Sequence, residues 1–167
     1  MSRNRTYIWK SSFDVADNLN ITRGTVHDIL YGYICYCKEL LKQGYRVDFP
    51  GLVTISSRTR QIKARTLAYN CKIVADKLSL PEHTVQFVIK KYIEDCIDGL
   101  KSGSVVELRG LCTLHPLRDV NGFVKCINSD IAQGLKKELG IFDLRVYTCK
   151  YLRQSIKSNF QEAVANI

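Results

Sequence analysis

Seven cysteines and three histidines are the residues of this chain best suited to metal or nucleophile chemistry. Cys35 and Cys37 stand two apart in a helical pattern, which turns them to different sides and prevents joint chelation. Cys112-Thr-Leu-His115 has a ligand-like spacing, but on an alternating strand its two ends face opposite ways. No second Cys-x-x-Cys or His pair completes a tetrahedral set, so the cysteines are expected to pack the core and to bind no metal. His27, His83 and His115 lie in no nucleophile or acid–base motif. Gly51 and Gly110 are isolated turn glycines, not parts of a phosphate-binding loop. Asp17 and Asp76 read as solvated or capping carboxylates. The expectation is a protein that is not an enzyme and carries no cofactor.

Basic side chains are better placed to act. The run from Arg58 to Arg65 holds Arg58, Arg60, Lys63 and Arg65, and residues 1–66 carry 11 basic against 5 acidic groups. These four, with Arg118 and Lys125 further on, are candidates for gripping the phosphates of duplex DNA, an affinity that falls with salt and ignores sequence. The other reading of the run is a solvated strand face or an interface with an acidic neighbour. Aromatic residues are the second resource, with nine tyrosines and one tryptophan. Tyr7, Trp9, Tyr31 and Tyr36 are candidate contacts for a protein interface; stacking on bases is the weaker reading, because no basic stripe is interleaved with them. Asp14 to Val26 also satisfies a helix-turn-helix pattern, in which Arg23, Thr25 and His27 would reach base edges.

These groups must be positioned by a chain of 167 residues and 19.1 kDa, 46% apolar and 25% charged, with a formal charge of +9. That is the composition of a globular domain. Met1 to Thr6 has no apolar run behind it, so no secretory signal is expected, and no stretch is long enough for a membrane helix. An odd number of cysteines without an export signal points to reduced thiols in a reducing compartment.

The chain repeats itself. At an offset of 59, residues 15–55 align with 74–114 without a gap, and 16 of the 41 positions are identical. Val15-Ala-Asp-Asn-Leu19 returns as Val74-Ala-Asp-Lys-Leu78; Gly44, Val47, Gly51-Leu52 and Thr54 return as Gly103, Val106, Gly110-Leu111 and Thr113. Each unit predicts a short helix (Phe13–Leu19, Ile73–Leu78) and then a long one. The apolar stripe Val26, Ile29, Leu30, Tyr33, Ile34, Cys37, Leu41 recurs as Val85, Val88, Ile89, Tyr92, Ile93, Cys96, Leu100. Ser79-Leu-Pro-Glu82 predicts a capping box at the second long helix, and Gly44 and Gly103 predict left-handed helix ends. Strands are then expected at Tyr45–Phe49 and Leu52–Ile55, and at Ser104–Leu108 and Leu111–Leu114. Asn121-Gly122 predicts a tight hairpin between Thr113–Arg118 and Phe123–Ile127. Beyond it, Ser129 is expected to cap a helix from Asp130 to Leu139, and Phe142, Val146, Cys149, Leu152, Ile156 and Phe160 to line one face of a last helix.

Two helices, a Lys-x-Gly step, a strand and a glycine turn into a second strand resemble the bacterial HU/integration-host-factor family. The residues that carry the resemblance run from Leu41-Lys-Gln-Gly44 through Val47–Ile55, and from Leu100-Lys-Ser-Gly103 through Val106–Leu114. The resemblance implies an α+β chain: a first unit at 1–66, a second at 67–128 with a short hairpin, the two pairing as a pseudo-dimer, and a C-terminal helical segment at 129–167. Family members that bend DNA do so with two long basic β-arms tipped by proline. Here Ser56 to Lys72 holds no proline, and the second hairpin turns at Asn121-Gly122. The sequence also resembles HU/integration-host-factor-like proteins encoded among the virion genes of crAss-like phages, which look like ring components of the neck and tail. That implies a structural protein assembled in the host cytoplasm, self-associating into a ring with other virion proteins and touching no membrane. The alternative it implies is an architectural DNA-binding protein of the cytoplasm or nucleoid.

Overall fold

The structure, a computed structural model, describes residues 8–58 and 62–165, and describes no side chain of residues 8–13, 163 or 164. The described chain is α+β, with six helices and two three-stranded antiparallel sheets. The first unit consists of α1 (Ile8–Leu19), α2 (Arg23–Lys42), β1 (Val47–Phe49) and β2 (Val53–Ser57). The second consists of α3 (Leu67–Leu78), α4 (Glu82–Lys101), β3 (Val106–Leu108) and β4 (Cys112–Arg118). Helix and strand bounds thus recur at the offset of 59 seen in the sequence, except that β4 runs two residues further than β2. β5 (Val124–Ile131), α5 (Leu135–Leu139), β6 (Leu144–Thr148) and α6 (Lys150–Ala165) complete the chain.

Local chemistry sets most boundaries. Thr22 and Thr66 cap α2 and α3 by accepting the amides of Thr25 and Tyr69. Gly44 and Gly103, both at φ 90°, turn the chain out of the long helices in the left-handed region that favours glycine. The helices are longer at their starts than the periodicity predicts, because Thr66 is a better cap than any residue nearer Ile73. The expected capping box does not form. Ser79 ends α3 in the left-handed region (φ 54°), and Pro81 takes the N-cap of α4 without a side-chain bond.

β1 pairs with β2 and β3 with β4 in equivalent registers, Val47 opposite Ile55 and Val106 opposite Leu114. The third strands come from different places. The second unit uses β5, the return strand of its own hairpin, whereas the first uses β6, from beyond the whole second unit. In chain order the second unit is therefore inserted between the second and third strands of the first. The two third strands are equivalent in detail. Ile131 lies opposite Cys112 and Thr148 opposite Val53, and the next residues repeat one bond, Ala132 N–H to Leu111 and Cys149 N–H to Leu52. Each strand then leads to a closing helix, α5 or α6, carrying a matched buried pair, Leu135 and Leu139 or Leu152 and Ile156.

This corrects the reading of residues 129–167. Ser129–Ile131 extend β5 instead of opening a helix, and only Leu135–Leu139 are helical. Leu144–Thr148 are a strand with alternating exposure, since β2 would otherwise lack a partner on that side. The 3-and-4 spacing from Phe142 to Cys149 is a coincidence of a strand joined to a helix.

The units share one core. α1 packs on α4 and α3 on α2, so each short helix meets the long helix of the other unit as well as its own. α6 lies on β5, where Phe160 meets Phe123 edge-on at 6.3 Å, and α5 lies near α2, where Lys38 bonds Glu138 at 3.2 Å. The closing helix of each unit thus reaches the other unit. The buried apolar set runs continuously through both, from Val15 to Ile156.

Candidate functional site

The basic run is anchored before it can act. Ile62 forms a parallel bridge beside Tyr45, its N–H donating to Gly44 and its C=O accepting from Arg46, which lays the linker along the end of α2. Arg65 then enters a cluster of three tyrosines. Its guanidinium donates to Tyr45 Oη at 2.8 Å and to Tyr36 Oη and Tyr69 Oη at 3.4 Å, and stacks over the rings of Tyr45 and Tyr69 at 4.5 and 4.8 Å. Bonds to Tyr36 and Tyr45 raise its pKa above the usual arginine value. Arg118 is likewise engaged, donating to the Gly103 carbonyl at 2.7 Å. Two of the six candidate phosphate contacts therefore hold the fold together. Arg58, Lys63 and Lys125 are exposed, and Arg60 lies outside the described residues.

Of the candidate interface aromatics, Tyr31 is 61% exposed and offers its ring to solvent beside Arg109. Tyr36 is a correction. It is 7% exposed, lies between Arg65 and Lys77, and serves the chain's own packing. Tyr7 and the side chain of Trp9 lie outside the described residues. Arg23 is exposed at the start of α2, Thr25 bonds the capping Thr22 and His27 is half-buried, so the three expected base readers occupy unlike settings.

A surface that sequence reasoning missed centres on β6. On the outer face of the first sheet, a cleft of about 520 Å³ is lined by Arg46, Thr54, Ser56, Ile62, Lys63 and Tyr147. Arg46 is paired there with Asp48 at 3.4 Å. Between β5 and β6 lies a groove of about 720 Å³, lined by Ser129–Ile131 of β5, Leu144–Tyr147 of β6, and Lys136, Lys137 and Phe142. Phe142, 75% exposed, also borders a third cleft, of about 570 Å³, against the end of α2. The alternation Leu144-Arg-Val-Tyr-Thr148 is the signal that would have disclosed this surface.

Cys37, Cys71, Cys96 and Cys112 are buried. Burial pushes the Cys71 thiol up to about 11 and the Cys96 and Cys112 thiols to about 12. Thiols held protonated in this way are poor ligands and nucleophiles. Cys112 points into the core while His115 faces out, its Nε2 3.3 Å from Asp130. Among the described residues no group of three or more His, Cys, Asp and Glu is placed to hold a metal ion, and no helix is long and apolar enough to cross a membrane. Neither a protein-family model nor a curated protein sequence matches the chain.

Proposed function

We propose that this chain is a non-enzymatic structural protein, an HU/integration-host-factor-like pseudo-dimer that self-associates into a ring in the neck or tail of a phage virion. The observation that carries the reading is the shortness of the β4–β5 hairpin. The strand ends at Arg118, which bonds back to Gly103, and the tip is closed by Asp119, whose carboxylate accepts the amides of Asn121 and Phe123. No arm extends from this sheet to wrap a duplex. The paired units and the reciprocal packing of α5 and α6 support the pseudo-dimer. Tyr31, Phe142 and Tyr151, all well exposed, support a role in contacts between proteins. A closed ring requires a head-to-tail interface, for which the two unlike faces of an asymmetric pseudo-dimer are suited. Electron microscopy of the purified protein tests this: closed rings of uniform size are expected, and dispersed single particles at every concentration would overturn it.

A second reading, architectural DNA binding, is favoured by one observation: Arg46, Lys63 and Arg145 lie with Tyr147 on or beside the outer face of the first sheet. On that reading duplex affinity falls steeply with salt, and neutralising Lys63 and Arg145 abolishes it.

A further inference from the structure

We propose that the outer faces of the two sheets form one charge-split surface, and that this surface docks on the same surface of a second copy of the chain, basic half against acidic half. The inference rests on the self-association in the assembly reading, and adds a two-fold contact to the head-to-tail one that a ring requires. In both sheets the residues between the buried ones point outward. Asp48, Thr54 and Tyr147 are in register across the first sheet, with Ser56 and Arg145 in the next row. Glu107, Thr113 and Asp130 are in register across the second, with His115 and Asn128 in the next row. β5 and β6 lie side by side, and the groove between them is lined by Asp130 from one face and by Arg145 and Tyr147 from the other, so the two faces adjoin.

Equivalent backbone positions carry different charge. The first half presents Arg46, Lys63 and Arg145, and its Asp48 carboxylate is taken up within the sheet by Arg46 at 3.4 Å and by the Thr54 hydroxyl at 2.8 Å. Lys136 and Lys137 border the groove from α5, which lies near α2 of the first unit. The second half exposes Glu107 and Asp130, with His115 Nε2 3.3 Å from Asp130, while Arg118 and Lys125 lie beyond them toward the hairpin tip. Where the first unit has Arg46, Arg145 and Tyr147, the second has Val105, Asn128 and Asp130. Half a turn about the line of the groove lays the first sheet of one copy over the second sheet of the other, on both sides of the axis at once. That pairing is isologous and sets each half against opposite charge. Tyr147, exposed beside this axis, and Leu117, exposed on the acidic half, give the contact apolar area. A duplex laid across the same surface would meet Glu107 and Asp130, which repel phosphates, so a second copy is the better fit.

The test uses the full chain. A mixture of ordinary and heavy-isotope-labelled chains is treated with a zero-length carbodiimide, which joins lysine to carboxylate, and the products are read by mass spectrometry. Mixed-isotope links are expected from Lys63, Lys136 or Lys137 of one copy to Glu107 or Asp130 of the other, and high salt should reduce them. In sedimentation velocity, K63E/R145E and E107K/D130K should each associate with themselves about tenfold or more weakly than the parent does, and an equimolar mixture of the two should regain the lost affinity. Far-UV circular dichroism identifies a variant that has failed to fold, in which case the cross-linking of the parent decides. Absence of mixed-isotope links at every concentration, folded variants that associate like the parent, or a mixture that binds no tighter than either variant alone would overturn the proposal. Rings seen by microscopy without these links would sink this contact and leave the assembly reading standing; linked pairs that never close into a ring would do the reverse.

Discussion

If Arg118 locks the base of the second hairpin, replacing Gly103 with alanine should cost more than the same change at Gly122. Both glycines are left-handed, at φ 90° and 86°, so each substitution carries the backbone penalty of about 1–2 kcal/mol for a side chain in that region. A Cβ at Gly122 meets nothing within 4 Å, whereas at Gly103 it would lie 2.6 Å from Arg118 Nη2 and 3.3 Å from Val124 Cγ2. The guanidinium must therefore leave, breaking its 2.7 Å bond to the Gly103 carbonyl. A charge-assisted bond is worth about 1.5–3 kcal/mol when shielded, and Arg118 is exposed enough to reduce that to about 1 kcal/mol. Urea denaturation should place Gly103→Ala about 2–3 kcal/mol below the parent and Gly122→Ala about 1–2 kcal/mol below it. The extra loss corresponds to a further fall in Tm of about 2–4 °C for a chain of this size. In an Arg118→Ala background the difference between the two glycine variants should shrink to what the remaining Val124 contact costs. Equal losses in the parent, or a difference undiminished by removal of Arg118, would refute the lock and leave Arg118 a free cation.

Three further outcomes follow from the same geometry. Arg65→Met, which removes the bonds to Tyr36, Tyr45 and Tyr69, should speed hydrogen exchange at residues 62–66 while leaving β3 and β4 unchanged. A thiol reagent at mild alkaline pH should modify Cys35, Cys126 and Cys149, which are only partly buried, before Cys37, Cys71, Cys96 and Cys112. The buried thiols also set a pH limit. Their folded values lie above the ordinary 9.0, at about 11 for Cys71 and about 12 for Cys96 and Cys112. The unfolded chain therefore loses these protons first, so stability is complete below about pH 9 and falls as pH rises toward 12, measured by urea midpoints across that range.

The duplication and its elements are legible in the sequence because each rests on local rules: the period of the apolar stripe, Gly44 and Gly103 at the helix ends, and the tip at Asn121-Gly122. What is not legible depends on distant partners. Leu144-Arg-Val-Tyr-Thr148 is short enough to join the helical pattern after it, and only the open edge of β2, far earlier in the chain, makes it a strand. Ser129–Ile131 follow a good turn signal, yet they extend β5 because the longer β4 offers partners as far as Cys112. The basic run looks free in sequence, since the tyrosines that engage Arg65 come from a helix, a loop and the next helix, at positions 36, 45 and 69. The nested third strand had one trace in the sequence, the alternation of β6 itself.

The central claim, that this fold assembles and does not wrap DNA, is tested most directly by light scattering coupled to gel filtration, with and without a short duplex at moderate salt. The account predicts a discrete oligomer whose mass is a whole multiple of 19.1 kDa and is unchanged by the duplex. A 19.1 kDa monomer that shifts with duplex and releases it as salt rises would contradict the account and establish the DNA-binding reading in its place.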